Sequence, residues 1–176
     1  MKTIYLVRHC SATGQEPEAK LSDLGHQQAE ELASFFKDKI IYHIISSPYL
    51  RAVHSIQPTA QSKNIPITID ERLAERELSS SILQNWLELL EQTFNDLDLK
   101  LDGGESSREA TDRAINVVKD SQNNCVLVTH GNLMSLILKH FDDSIGFQDW
   151  KSLSNPDVYT LTIDNNDRTI ERLWTN

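Results

Sequence analysis

Cys125-Val126-Leu127-Val128-Thr129-His130-Gly131 decides the fold: an unbroken apolar and β-branched run that stops on an imidazole and a glycine. A run without polar alternation reads as a strand buried on both faces, as in a parallel sheet. Ile4 to Val7 repeats the pattern and stops on Arg8-His9. A third run, Ile40-Ile41-Tyr42-His43-Ile44-Ile45, leads into Ser46-Ser47-Pro48. Helical patterns separate these strands. Ser22 is an N-cap ahead of Leu24, Ala29, Leu32, Phe35 and Phe36 at helical spacing. Ser47-Pro48 places a cap and a first-turn proline before Ala52, Val53, Ile56 and Ala60, a helix that Pro58 should kink or end. Ser81 to Phe94, Ser106 to Val118 and Asn132 to Lys139 are further helices. Asp96 to Gly104 reads as a loop, and Asn165-Asn166 as the turn of a hairpin between Val158–Ile163 and Thr169–Leu173. Strand and helix in alternation predict one three-layer α/β domain spanning residues 1–176. Its mostly parallel sheet would carry helices on both faces and close with the C-terminal hairpin.

Composition sets the outer limits. The chain has 176 residues, with 17 Lys+Arg against 26 Asp+Glu for a formal charge of −9. An acidic surface without a basic stripe is unsuited to nucleic acid. No apolar run approaches the ~20 residues that span a bilayer, and the apolar start breaks at Arg8 before any signal-peptide cleavage site. Cys10 and Cys125 make neither a disulfide framework nor a metal cluster, and no histidine has a second histidine or a cysteine at metal-ligand spacing. The expectation is a cytoplasmic protein with no membrane, nucleic-acid or metal partner.

The chemistry lies where strands end. In open α/β sheets ligands bind at the carboxyl ends of the strands, and here those ends carry Arg8-His9, Ser46-Ser47-Pro48 with Arg51 one turn on, and His130-Gly131. Two arginines and two histidines should converge on one crevice. Guanidinium forks match phosphate oxygens and stay charged. Gly131 would let a helix N-terminus face an anion, and a neutral imidazole among cations is a nucleophile suited to an anionic phosphorus.

The segments LVRHCSATGQ, LSDLGHQQAEELA, SSPYLRAVHS, RLAERELS, GGES and VLVTHGNLM, in this order over roughly residues 3 to 140, resemble the histidine phosphatase superfamily, which includes cofactor-dependent phosphoglycerate mutases and many small phosphatases. The resemblance implies that His9 becomes a phosphohistidine while Arg8 and Arg51 clamp the phosphate and His130 binds and polarises it. Glu75, with Glu77 as the alternate, would protonate the leaving alcohol and later help activate water. Ser11, Gln15 and Gly131 would bind phosphate or substrate. Two positions depart from the family pattern: Cys10 replaces its usual glycine, where it would narrow the pocket or make activity oxidation-sensitive, and Gln15 replaces its usual asparagine.

His9-Cys10 followed by Ser11 to Glu16 also imitates a cysteine phosphatase loop, but Glu16 stands where that loop needs arginine. His26 reads as a solvated helix residue, His43 as a satisfied strand residue and His54 as a packing residue. His140 would sit favourably at a helix C-terminus as a partial cation. The substrate pocket would be lined by Ser11 to Lys20, the Ser79–Phe94 helix and the Asp96–Gly104 loop; Trp86 could pack on an apolar part of the substrate but reads first as a core or helix-interface residue. Together these readings imply metal- and cofactor-independent hydrolysis of small phosphorylated metabolites. A mutase using the same residues, or a non-catalytic phosphate-binding protein, is the alternative. The 26 residues between Glu75 and Asp102 leave little room for the large lid a mutase needs.

Overall fold

The computed structural model describes residues 1–165 and 167–175. In chain order it forms β1 (Lys2–Arg8), α1 (Asp23–Phe36), β2 (His43–Ser46), α2 (Leu50–Lys63), β3 (Ile67–Ile69), a 3-10 turn (Glu71–Leu73), α3 (Trp86–Asn95), α4 (Ser107–Asp120), β4 (Cys125–Thr129), α5 (Gly131–Phe141), α6 (Phe147–Ser152), β5 (Asp157–Asp164) and β6 (Asp167–Arg172). The strands make one sheet in the order β3-β2-β4-β1-β5-β6. The β2·β3, β2·β4 and β1·β4 pairings are parallel, and the hairpin adds β5 and β6 antiparallel beyond β1. Asn165 lies in the turn at φ 53°, the left-handed region that asparagine tolerates; its partner in the expected turn, Asn166, lies outside the described residues.

Period-two alternation on the central strands feeds two cores. Ile4, Leu6, Cys125 and Leu127 face the layer of α3 to α6, whereas Val7, Val126 and Val128 face α1 and α2. Every residue of β4 is buried, as expected of a strand covered on both sides. Ser22 caps α1 by accepting from the Gly25 amide at 3.1 Å. Ser106 and Glu109 form a reciprocal capping box at the start of α4. Gly25 is required by proximity, because any Cβ there would collide with the Ser11 carbonyl.

Several boundaries move. The expected strand at 40–45 begins only at His43, since Tyr42 spends its amide on the Asn124 carbonyl instead of a ladder. The second helix starts at Leu50, not at Ser47-Pro48, because the Ser47 hydroxyl is committed elsewhere, as described below. Pro58 sits inside that helix, which runs on to Lys63. Residues 81–85 are not helical, and α3 begins at Trp86. The short strand β3 and helix α6, both too brief to show periodicity, were not expected.

Candidate active site

The carboxyl ends of β1, β2 and β4 bring the expected residues together. Arg8 closes β1, and His9 extends its ladder by donating its amide to the Thr129 carbonyl at 3.1 Å. The Asn155 side chain donates to the His9 carbonyl at 2.8 Å, fixing the backbone from the other side. His9 Nδ1 lies 2.7 Å from the Cys10 carbonyl. A carbonyl can only accept, so Nδ1 carries the proton and Nε2 keeps its lone pair. Arg51 Nε donates to that lone pair at 3.2 Å. Burial, together with the Arg51 and Arg8 charges, pushes His9 down to about 3, against the opposing pull of the Cys10 carbonyl. The imidazole is therefore neutral at any working pH.

His130 lies 5.1 Å from His9 between ring centroids, inclined at 61°. Its Nε2 is 2.7 Å from Ser47 Oγ, while Ser47 Oγ accepts the Tyr49 amide at 3.3 Å. With Ser47 donating to Nε2, the His130 proton belongs on Nδ1, and that atom is buried without a partner. Burial first, then the neighbouring His9 and the Arg51 and Arg8 charges, hold His130 well below its ordinary value.

Arg8 and Arg51 stand beside these rings and Arg76 further along the same site, and among the described residues none of the three has a carboxylate within ion-pair distance. Arg8 Nη1 donates to the Leu153 carbonyl at 3.0 Å, and its Nε is buried without a partner. Arg51 gives Nη1 to the Glu16 carbonyl at 2.8 Å. Arg76 binds the Glu105 carbonyl through Nε at 3.1 Å and Nη2 at 2.8 Å. A Cβ on Gly131 would stand 3.0 Å from Arg8 Cζ, so this glycine is what lets the guanidinium lie across the start of α5.

The α5 N-terminus does face an anion, but an internal one. Glu75 Oε2 accepts the Asn132 amide at 3.0 Å, and Oε1 accepts the Leu133 amide at 2.9 Å and the Arg76 amide at 2.8 Å. This corrects the expectation that those amides await the ligand. Glu77 lies outside this arrangement, its amide given to Glu105 Oε2. Glu105 itself is structural, paired with Arg113 at 2.7 Å.

A cleft of about 430 Å³ opens here, lined by Arg8, Gln15, Glu75, Arg76, Leu78, Trp86, Leu90, Gly131, Asn132 and Trp150. Gln15 is placed as expected. Ser11 is not on the lining: its amide goes to Gln28 Oε1 at 2.8 Å and its carbonyl accepts from the Ser22 amide. The Asp96–Gly104 loop does not reach the cleft, and Trp86 is no core residue but half of its wall. Arg76, Asn132, Trp150 and the Ser47 contact to His130 were missed; Arg76 and Asn132 each directly follow a recognised residue, which was the available signal.

Cys10 corrects the other expectation. It is fully buried in the α1/α2 core, on the far side from the cleft, and burial pushes its thiol up to about 12. It neither narrows the pocket nor offers a thiolate. His54 and His26 line a separate depression between α1 and α2. His43 Nε2 contacts Gln122 Oε1 at 2.9 Å. His140 is held low by burial and by Arg168 and Lys119, so the expected favourable cation at a helix end is opposed by its neighbours. Among the described residues no helix is long and apolar enough to cross a membrane.

The family model described as histidine phosphatase superfamily (branch 1) matches residues 4–176, well beyond the 3–140 span of the motifs. A relative from Shigella dysenteriae serotype 1, named "Probable phosphoglycerate mutase GpmB", is 30% identical over 156 residues, covering 74% of this chain and 70% of the relative. Among solved structures, phosphoserine phosphatase from Entamoeba histolytica in complex with 3-phosphoglyceric acid superposes with a TM-score of 0.79 at 16% identity, over 99% of this chain and 98% of that one. The mycobacterial glucosyl-3-phosphoglycerate phosphatase complexed with VO3 gives 0.76 at 18% identity, over 98% of each chain. At these identities both structures speak for the fold.

Proposed function

The chain belongs to the histidine phosphatase superfamily, and on that premise we propose that it hydrolyses phosphomonoesters of small metabolites through a phosphohistidine on His9, without a metal. One observation carries the proposal. The unprotonated Nε2 of a neutral, buried His9, engaged by Arg51 Nε alone, stands among guanidinium and imidazole donors that lack an anionic partner among the described residues.

The steps follow from the donors. The phosphate would draw Arg51 Nε off His9 and take further bonds from Arg8 Nε and His130 Nδ1. His9 Nε2 then attacks phosphorus, an N–P bond forms, and the ester P–O bond breaks. Glu75, released from one of its amides, takes up the proton of an incoming phosphate monoanion and passes it to the departing alkoxide. Water attacks the phosphohistidine in the second half, losing a proton to Glu75 while the N–P bond breaks. Ser47 would keep His130 in the tautomer that donates from Nδ1.

A mutase would run the same first half and return the phosphoryl group to a second hydroxyl, which requires water to be shut out. Between Glu75 and Asp102 the chain contributes only the ten-residue helix α3, and Trp86 at its start remains 49% exposed. That favours water as the acceptor. Two free, buried cysteines suit a reducing compartment such as the cytoplasm.

The test is phosphate release from an aryl phosphate with chelator present, in wild type and His9→Ala, alongside rapid acid-free trapping of the phosphoprotein. Activity that resists chelator, vanishes with His9 and leaves an acid-labile phosphohistidine is the expected result. An inert wild type that still binds vanadate would make the chain a phosphate-binding protein instead.

A further inference from the structure

The cleft has two chemically opposed ends. Arg8 and Gly131, next in sequence to His9 and His130, make the polar end with Glu75, which holds the Asn132 and Leu133 amides, while Leu78, Leu90, Trp86 and Trp150 make the other. The two indoles meet edge to face, with centroids 6.4 Å apart at 87°. Trp150 is braced by stacking on Phe147 at 5.4 Å, so this wall is preformed. An exposed indole lining a cavity leaves apolar area in water that a ligand could cover. Between the two ends sits Asn132, 6% exposed. Its Oδ1 is 3.5 Å from Arg76 Nη1, and its Nδ2 is buried with no partner. A buried donor left unpaired is a place for a ligand acceptor.

We propose that the substrate is a phosphomonoester whose alcohol half carries a flat, uncharged ring. The ring would lie against Trp86 and Trp150, with an oxygen acceptor beside it meeting Asn132 Nδ2. This inference rests on the phosphatase reading and names its substrate class. Among the residues lining the cleft a carboxylate-bearing alcohol finds no free cation at the aromatic end; Lys151, 5.7 Å over the Phe147 ring behind Trp150, is not on the lining. The nearest guanidinium, Arg76, spends Nε and Nη2 on the Glu105 carbonyl and Nη1 on Thr93 Oγ1 at 3.1 Å. A cationic alcohol would suit the indole faces but would stand close to Arg76 and Arg8. An uncharged ring meets neither objection, and edge-to-face indoles accept one readily.

The experiment compares esters of primary alcohols, so that leaving-group acidity is matched: 2-phenylethyl phosphate, O-phosphoserine, 3-phosphoglycerate and phosphocholine. Binding of 2-phenylethylphosphonate and methylphosphonate is measured by calorimetry in parallel. Wild type should show kcat/KM for the phenylethyl ester at least about tenfold above the other three. It should bind the phenylethyl phosphonate more tightly than methylphosphonate by a similar factor. Trp86→Ala should erase that difference while methylphosphonate affinity stays within about twofold, and Trp86→Phe should restore most of it. Trp86 is half exposed, so its loss leaves the core intact. Turnover that favours phosphoserine, 3-phosphoglycerate or phosphocholine overturns the inference and leaves the phosphatase reading standing. Absence of any turnover overturns the phosphatase reading, and the phosphonate pair then still decides the ring site: equal affinities, or a preference that survives Trp86→Ala, would refute it.

Discussion

Lowering the pH from 7 to 5 should cost the fold stability through His9, and replacing His9 with glutamine should remove that part of the cost. The imidazole is 6% exposed, so solvent does little to screen its surroundings. Its value of about 3 replaces the ordinary 6.5, with burial the largest cause, Arg51 and Arg8 adding to it and the Cys10 carbonyl opposing. A folded value below the unfolded one means that the unfolded chain takes up the proton first. The contribution is complete above pH 6.5 and is lost as the pH falls from 6.5 toward 3. Each pH unit in that window is worth ~1.4 kcal/mol, so the descent from 6.5 to 5 amounts to about 2 kcal/mol at this single group. His130, also held low, adds a loss of the same sign that both proteins share.

Urea unfolding followed by tryptophan fluorescence, at pH 7 and pH 5, measures the difference in wild type and His9→Gln. Any intrinsic effect of the substitution cancels, because only the change with pH is compared. Wild type should lose about 2 kcal/mol more than the variant over that interval. Equal losses would refute the placement of a neutral His9 between two guanidiniums, and with it the reason for its readiness as a nucleophile.

Gly131→Ala should weaken phosphate or vanadate binding about tenfold by driving the Arg8 guanidinium from a contact that stands at 3.0 Å from the new Cβ; vanadate inhibition reads it, and unchanged inhibition would show that Arg8 is free to move. Ser47→Ala, which deletes the 2.7 Å contact to His130, should lower kcat by roughly ten- to a hundredfold, whereas Ser47→Thr should keep most of it. Native protein should resist iodoacetamide at Cys10, whose thiol is held at about 12, and Cys10→Ser should keep its activity after peroxide treatment just as wild type does; rapid alkylation measured by mass spectrometry would contradict its burial. Glu75→Gln should cut kcat by about 10²–10⁴ on an alkyl phosphate but far less on 4-nitrophenyl phosphate, whose phenolate leaves without a proton. An equal loss on both would mean that Glu75 only holds the start of α5.

The parts of this protein that sequence exposed are those fixed by local rules. Uninterrupted apolar runs marked β1 and β4, and Ser22 and Ser106 announced their helices through capping chemistry that needs only the next three residues. Arg8, His9, Arg51 and His130 were found because each closes a strand or opens a helix, where an α/β sheet gathers its chemistry. What stayed hidden depends on distant partners. Ser47 looked like a cap because nothing local says that its hydroxyl faces an imidazole 83 residues away. Trp86 and Trp150 form one wall only because α3 and α6 pack together. Cys10 was suspected of crowding the pocket because sequence places it next to His9, yet extended backbone sends neighbouring side chains to opposite faces. The start of α5 was expected to face a ligand, but its amides go to Glu75, which comes from a different loop.

Burial lowers both histidines, and the arginines beside them lower them further. Arg8 and Arg51 stand in low-dielectric surroundings without a carboxylate within ion-pair distance among the described residues, and their field helps to keep protons off His9 and His130. A bound phosphate dianion would cancel much of that field. By linkage, whatever makes the dianion welcome must also raise the proton affinity of the imidazoles once it arrives. Glu75, the carboxylate that acts most strongly on both guanidiniums, is given to the Asn132 and Leu133 amides instead of pairing with either. The site thus stores its positive charge at some cost to stability, as preorganised catalytic sites do. Transfer of the phosphoryl group to His9 keeps the negative oxygens among the same donors, so little has to be rearranged between the two halves of the reaction.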